Sequence, residues 1–205
     1  MNLTNEENIF NRLFNRIGDL IFLNLLFILC SIPILTIGAS FTALNYCCMK
    51  LIKEGDVSAR RMFFTAFKEN FRQATAIWLC YLFVIGMLLF NLYFLNITHN
   101  LISQILRYLF LFLFAIINII ALYLFPTVAV FKNKTSALIK NACIFAMGNI
   151  LTTVGLLLIW WLLIWLLIND TAMFHIYLFC WLTFGVSLVT FGSTQLLYRI
   201  FKKYI

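Results

Sequence analysis

Side chains able to do chemistry are sparse in this chain, and their spacing argues against most enzymes. The carboxylates Asp19 and Asp170 and the histidines His99 and His175 are the first candidates for acid–base or metal work. An aspartyl dyad needs two carboxyls close enough to share a proton, whereas the topology argued below puts Asp19 and Asp170 at opposite membrane faces. Two histidines on connecting turns, with no acidic cluster beside them, make a poor metal site. Gly38-Ala-Ser40 and His175 superficially resemble the serine–histidine pair of an intramembrane protease, yet no glycine follows the serine and no small residue stands four after the histidine. The six cysteines, Cys30, Cys47, Cys48, Cys80, Cys143 and Cys180, lie in or beside apolar runs without C-x-x-C spacing and read as small hydrophobes. Neither a phosphate-cradling glycine loop nor a dinucleotide motif occurs, so the chain cannot energise transport with ATP on its own. The expectation is a protein that is not an enzyme, with no catalytic residues, cofactor or metal.

The elements that must carry these residues follow from composition. A chain of 205 residues that is 64% hydrophobic, 18% aromatic and 11% charged cannot put a polar shell around a soluble core. Spanning hydrocarbon takes roughly 20 apolar residues in a helix, and such runs recur at Ala74 to Leu95, Tyr108 to Phe131, Ile150 to Ile168 and Phe174 to Leu197. Alternating barrel strands are absent, so the spans are helical, because unpaired backbone in lipid costs several kcal/mol per group. One all-α, polytopic transmembrane bundle over residues 1–205 is expected. The start, Met1-Asn-Leu-Thr-Asn-Glu6-Glu7, lacks the basic leader and small-residue cleavage site of a signal peptide, so the first apolar segment is expected to stay in place.

Most informative is the uncharged run Leu20 to Met49, interrupted by Ser31-Ile-Pro33-Ile-Leu-Thr36-Ile-Gly38. Proline removes an amide donor and excludes the preceding residue from helical geometry, and Gly38 can take a backbone conformation that other residues resist. The spacing predicts a hairpin of two helices broken between Pro33 and Gly38. Basic residues cluster at Arg12 and Arg16, from Lys50 to Arg72, from Lys132 to Lys140 and from Arg199 to Lys203, while the turns Asn96 to Gln104 and Asn169 to His175 have none. By the positive-inside rule this gives six spans with both termini cytoplasmic in a bacterial plasma membrane. The alternative, a single broken first helix, gives five spans, an outside amino terminus, and misplaced Arg12 and Arg16. The net charge of +8 is then a topology signal aimed at anionic lipid, not a nucleic-acid surface.

Two cytoplasmic connections have amphipathic pattern. In the stretch from Asp56 to Arg72, Asp56 or Ser58 can cap a helix carrying Phe63, Phe64, Phe67 and Phe71 on one face and Arg61, Lys68 and Arg72 on its flank. An interfacial helix is expected there, as a membrane anchor or a contact for a cytoplasmic partner. Lys132 to Asn149 repeats the pattern more weakly. Ala43-Leu44 aligns with Ala121-Leu122, and Ser58 with Ser136, at a common offset of 78 residues, suggesting an internal duplication. Asp19 and Asn24, with Asn45, Asn91 and Asn118, are polar groups within apolar segments, and such groups pair with one another or with neighbouring backbone. Thr36, Ser40 and Thr42 can occupy carbonyls freed by the break, and Gly38 to Thr42 offers a small-xxx-small face for close packing.

The string Asp19-Leu-Ile-Phe-Leu-Asn24-Leu-Leu-Phe, then Ser31-Ile-Pro33-Ile-Leu-Thr36-Ile-Gly38-Ala39 and Thr42-Ala43-Leu44, resembles the opening of the YesL family, a bacterial membrane domain of unknown function. So do Phe64-x-x-Phe67-Lys-x-Asn70-Phe71, Phe125-Pro126 and Lys140-Asn141-Ala142, so that the resemblance covers nearly the whole chain. It implies a small polytopic protein of mainly Gram-positive bacteria, often encoded near carbohydrate ABC transporters and their sensor kinases, and it brings no catalytic residues. The resulting expectation is a non-catalytic accessory component, partnered by a carbohydrate ABC permease or a sensor kinase. A small independent transporter or channel is the alternative; against it stands the scarcity of ionisable groups inside the spans, which ion-coupled transporters use.

Overall fold

A computed structural model describes residues 3–55, 59–97, 100–169 and 173–204, and those residues are helical almost throughout, with no strand among them. Helix α1 (Leu3–Ser31) and helix α2 (Ile37–Glu54) are separated by a short 3-10 turn at Ile34–Thr36, where the Pro33 pattern placed the break. Helices α3 (Ala59–Ile97) and α4 (Leu101–Val130) follow, then α5 (Thr135–Gly148), α6 (Ile150–Asn169), α7 (Phe174–Cys180), a π-helical segment Trp181–Gly185, and α8 (Val186–Phe201). Four of the described segments are long and apolar enough to cross a membrane: Ile34–Glu54, Ala59–Ile97, Leu101–Val130 and Phe174–Phe201. The α5–α6 pair, bent by 96°, makes a fifth if it is a single broken span.

Helix α2 is the hub. It packs against α1, α3, α4 and α8, and eleven of its residues are buried, including Ala39, Ala43, Leu44, Cys47 and Cys48. Its small side chains let the surrounding helices approach closely, which is how helices gain packing energy where lipid offers no hydrophobic drive. The outward faces of α3, α4 and α6 are lined with exposed Leu, Ile, Phe and Trp, such as Phe83, Phe90, Phe112 and Trp161, as a lipid-facing surface requires.

Two expectations need correction. The stretch Ala59 to Arg72 is not a separate surface helix: α3 runs without interruption for 39 residues, ~58 Å at the usual rise. The physical reason is that no glycine or proline stands between Ala59 and Ile85 to end it. Gly38, for its part, takes no unusual backbone angle; Gly55 is the glycine with positive φ, at 83°. Gly38 is required by proximity instead. A Cβ there would sit 2.4 Å from Trp78 Cβ and 2.7 Å from the Ala74 carbonyl oxygen, so only hydrogen fits where α2 meets α3.

Candidate functional site

The polar groups of the interior fall into three places. The first is the α1–α2 break. Proline and the change of direction strip carbonyls of their helical partners, and side chains take them up: Thr36 Oγ1 lies 2.6 Å from Cys30 O and 2.8 Å from Pro33 O, and the Trp78 indole N–H donates to Ile34 O at 2.8 Å. Trp78 therefore both abuts Gly38 and closes the turn. Thr42 bonds back to Gly38 O at 2.8 Å.

The second place is Asn24, which is fully buried on α1. A π-helical turn shifts the backbone ladder by one residue and leaves carbonyls and amides unmatched at its ends. The Asn24 side chain supplies what is missing. Its Nδ2 donates to Trp181 O at 3.1 Å and Leu182 O at 2.9 Å, and its Oδ1 accepts from the Ser187 amide at 2.9 Å. Both amide hydrogens and the oxygen are thus spent on one distant segment. Asp19, five residues earlier and half-buried, is engaged rather than free.

The third place is a seam between α2 and α8. Asn45 Nδ2 donates to Phe41 O at 2.8 Å, and its Oδ1 accepts from Thr194 Oγ1 at 3.3 Å. Ser40, Thr190 and Ser193 are buried alongside, and the hydroxyls of Ser40 and Ser193 have no protein partner. A cavity of about 10 Å³ beside Asn45, Thr190, Ser193 and Trp160 has room for roughly one water. The remaining span amides bond within their own helices, Asn91 to Met87 O and Asn118 to Phe114 O, and Asn118 also accepts from Tyr81.

The structure divides the aromatic and basic residues of the Arg61 to Arg72 stretch. Phe63 is fully buried in the core with Leu23 and Leu44, Phe67 is half-buried and stacked on it, and Phe64 and Phe71 are exposed. Arg61, Lys68 and Arg72 are exposed on the same helix. Arg60, which the pattern did not single out, lays its guanidinium 5.0 Å from the Phe22 ring and ties α3 to α1. The caps Asp56 and Ser58, together with His99 and Asp170, lie outside the described residues. Among the described residues no Asp, Glu, Lys, Arg or His is buried, and no three metal-ligating side chains cluster.

The seam and the Asn24 bonds escaped sequence reading because serine and threonine are ordinary in apolar helices; only their coincidence on facing surfaces of α2 and α8 marks them. Residues 20–92, just over a third of the chain, match a family described as a protein of unknown function, DUF624. That stretch holds Asn24, the break and the α2–α3 contact. No curated protein and no solved structure matches.

Proposed function

We propose that the protein is a non-catalytic accessory component of a bacterial carbohydrate ABC transporter system, lying in the plasma membrane with six spans and both termini inside. The observation that supports the non-pumping part is the interior itself: every buried polar side chain in the described residues is a neutral amide or hydroxyl. Ion-coupled carriers place acids, bases or histidines along the path. The six-span count takes α1, α2, α3, α4, α6 and the α7–α8 unit as crossings, with α5 on the surface, which places Lys50 to Arg72, Lys132 to Lys140 and Arg199 to Lys203 on one side. The carbohydrate assignment rests on the family resemblance of the sequence. The exposed Phe64, Phe71, Arg61, Lys68 and Arg72, on the part of α3 that extends beyond a bilayer's thickness, supply the partner contact.

Purification of the tagged protein from its own membranes in mild detergent, with mass spectrometry of its companions, tests this reading. Sugar permease subunits or a sensor kinase at near-equal amounts are expected, and reversal of charge at Arg61, Lys68 and Arg72 should reduce them. A second reading, a small independent transporter or channel, is favoured by the α2–α8 seam with its unpartnered Ser40 and Ser193 hydroxyls. A clean homomer that moves solute in liposomes would replace the first reading by the second.

A further inference from the structure

Where α3, α4 and α5 meet, small side chains open a groove to the outside of the bundle. Ala76, Cys80 and Val84 follow one another at single-helix-turn intervals on α3, Ala121 faces them from α4, and Ile139 of α5 closes one end. The groove holds about 320 Å³, its walls are almost wholly apolar, and along α3 it runs ~12 Å. Tyr81, whose hydroxyl donates to Asn118 at 2.9 Å, ties α3 to α4 along its length.

At the α5 end the chemistry changes abruptly. Gln73 Nε2 lies 3.1 Å from Thr135 Oγ1 and 3.0 Å from Asn133 O, and this bridge separates the apolar groove from a polar basin lined by Glu69, Asn70, Gln73, Lys132, Asn133 and Lys134. Lys132 is paired with Glu69 at 3.1 Å, while Lys134 has no acidic partner among the described residues. Across 68–73 and 131–140 the chain carries five cationic side chains against one carboxylate. An apolar trench beside a basin of excess positive charge, at the level where α4 ends and the apolar stretch of α3 begins, is complementary to one kind of molecule.

We propose that this site binds an anionic phospholipid, with an acyl chain along Ala76, Cys80 and Ala121 and the phosphate at Lys134 and Lys132. The lysines supply attraction for a negative headgroup, worth about fivefold in affinity per residue. Thr135, whose oxygen accepts from Gln73, keeps its hydroxyl hydrogen for an ester oxygen at the glycerol level, and the groove supplies apolar area that no water-soluble anion uses. Zwitterionic lipid fills the groove and presents the same phosphate, but its choline cation offsets much of the attraction of the lysines.

Native mass spectrometry of the full chain, released from nanodiscs of phosphatidylcholine containing a minor fraction of phosphatidylglycerol, reads the retained lipid directly. The expected result is one phosphatidylglycerol held in preference to phosphatidylcholine. The preference should fall at least tenfold in the Lys132→Ala/Lys134→Ala variant and rise about twofold in Glu69→Gln, which frees Lys132. Cys80→Trp should expel the lipid by filling the groove. Thermal unfolding in a zwitterionic detergent checks that each variant is folded; the two lysines are exposed, so their replacement leaves the fold intact. Equal retention of both lipids by the unaltered protein, unchanged preference in the lysine variant, or displacement of the lipid by excess inorganic phosphate would overturn the proposal.

Discussion

The two stretches that a 78-residue offset aligns in sequence resolve a similar pattern differently. In the first, α2 turns back into an α3 that runs straight from its amphipathic start through its apolar stretch. In the second, α4 leads to α5, and the chain then bends by 96° before α6. The bend falls at Gly148-Asn149, and the offset sets those residues against Asn70-Phe71 inside α3. Asn149 leaves helical geometry at φ −132°, ψ 58°, and the corner is held by polar side chains. Thr153 Oγ1 lies 2.9 Å from Ala146 O and 3.1 Å from Asn149 O, which also accepts the Thr153 amide, so its single hydrogen goes to these carbonyls and the Tyr123 hydroxyl, 2.8 Å away, becomes donor to Thr153. A second contrast is in the packing. Gly38 meets Ala74 and Trp78 in the first half, whereas the corresponding positions in the second are Ile116, Thr152 and Leu156, and α4 barely meets α6. An amphipathic segment beside an apolar one does not decide between a continuous helix and a corner; the glycine–asparagine step is what the second stretch has and the first lacks, since Thr75 stands where the offset puts Thr153.

The largest effect is expected where the first half is tightest. Gly38→Val would force atoms into the space of Trp78 and Ala74, costing about 3 kcal/mol or more by overpacking. Thermal unfolding in detergent should show a large fall in midpoint; a change within error would mean that the close α2–α3 approach is not what distinguishes this half. Asn24→Leu is next. It leaves two carbonyls of the π-helical segment and the Ser187 amide just beyond it without side-chain partners, at about 2 kcal/mol, and hydrogen exchange at residues 181–187 should rise in step with the loss of stability.

The corner is tested by making the halves alike. Gly148→Ala with Asn149→Leu restores good helix formers, and spin-label distances between Ile139 and Leu158 should lengthen as α5 and α6 approach a common axis. An unchanged distance would place the cause of the bend in the packing of α5 on α4. The smallest effect is expected for Thr153→Val, about 1 kcal/mol, because one hydroxyl is lost and Tyr123 is left without its partner. Double replacement with Tyr123→Phe should cost less than the sum of the single changes.

The break at Pro33 and the apolar helices are legible in the sequence because each depends on local pattern. The continuity of α3 is legible only in hindsight, from a missing glycine or proline rather than from any residue present. Gly38 announces a turn to a sequence reader but serves a contact 36 to 40 residues away. The π-helical segment has no local mark at all; its explanation sits on α1, and Asn24 looks like any other amide in an apolar run until its partners 157 to 163 residues later are known.

That separation bears on how the protein is made. Asn24 is made well before the groups that satisfy it, which follow 157 to 163 residues later in the chain. Until those residues are made its amide must find provisional company in other backbone or in water. A nascent chain that stops before Trp181 holds that amide in the bilayer without the three partners that satisfy it in the finished bundle.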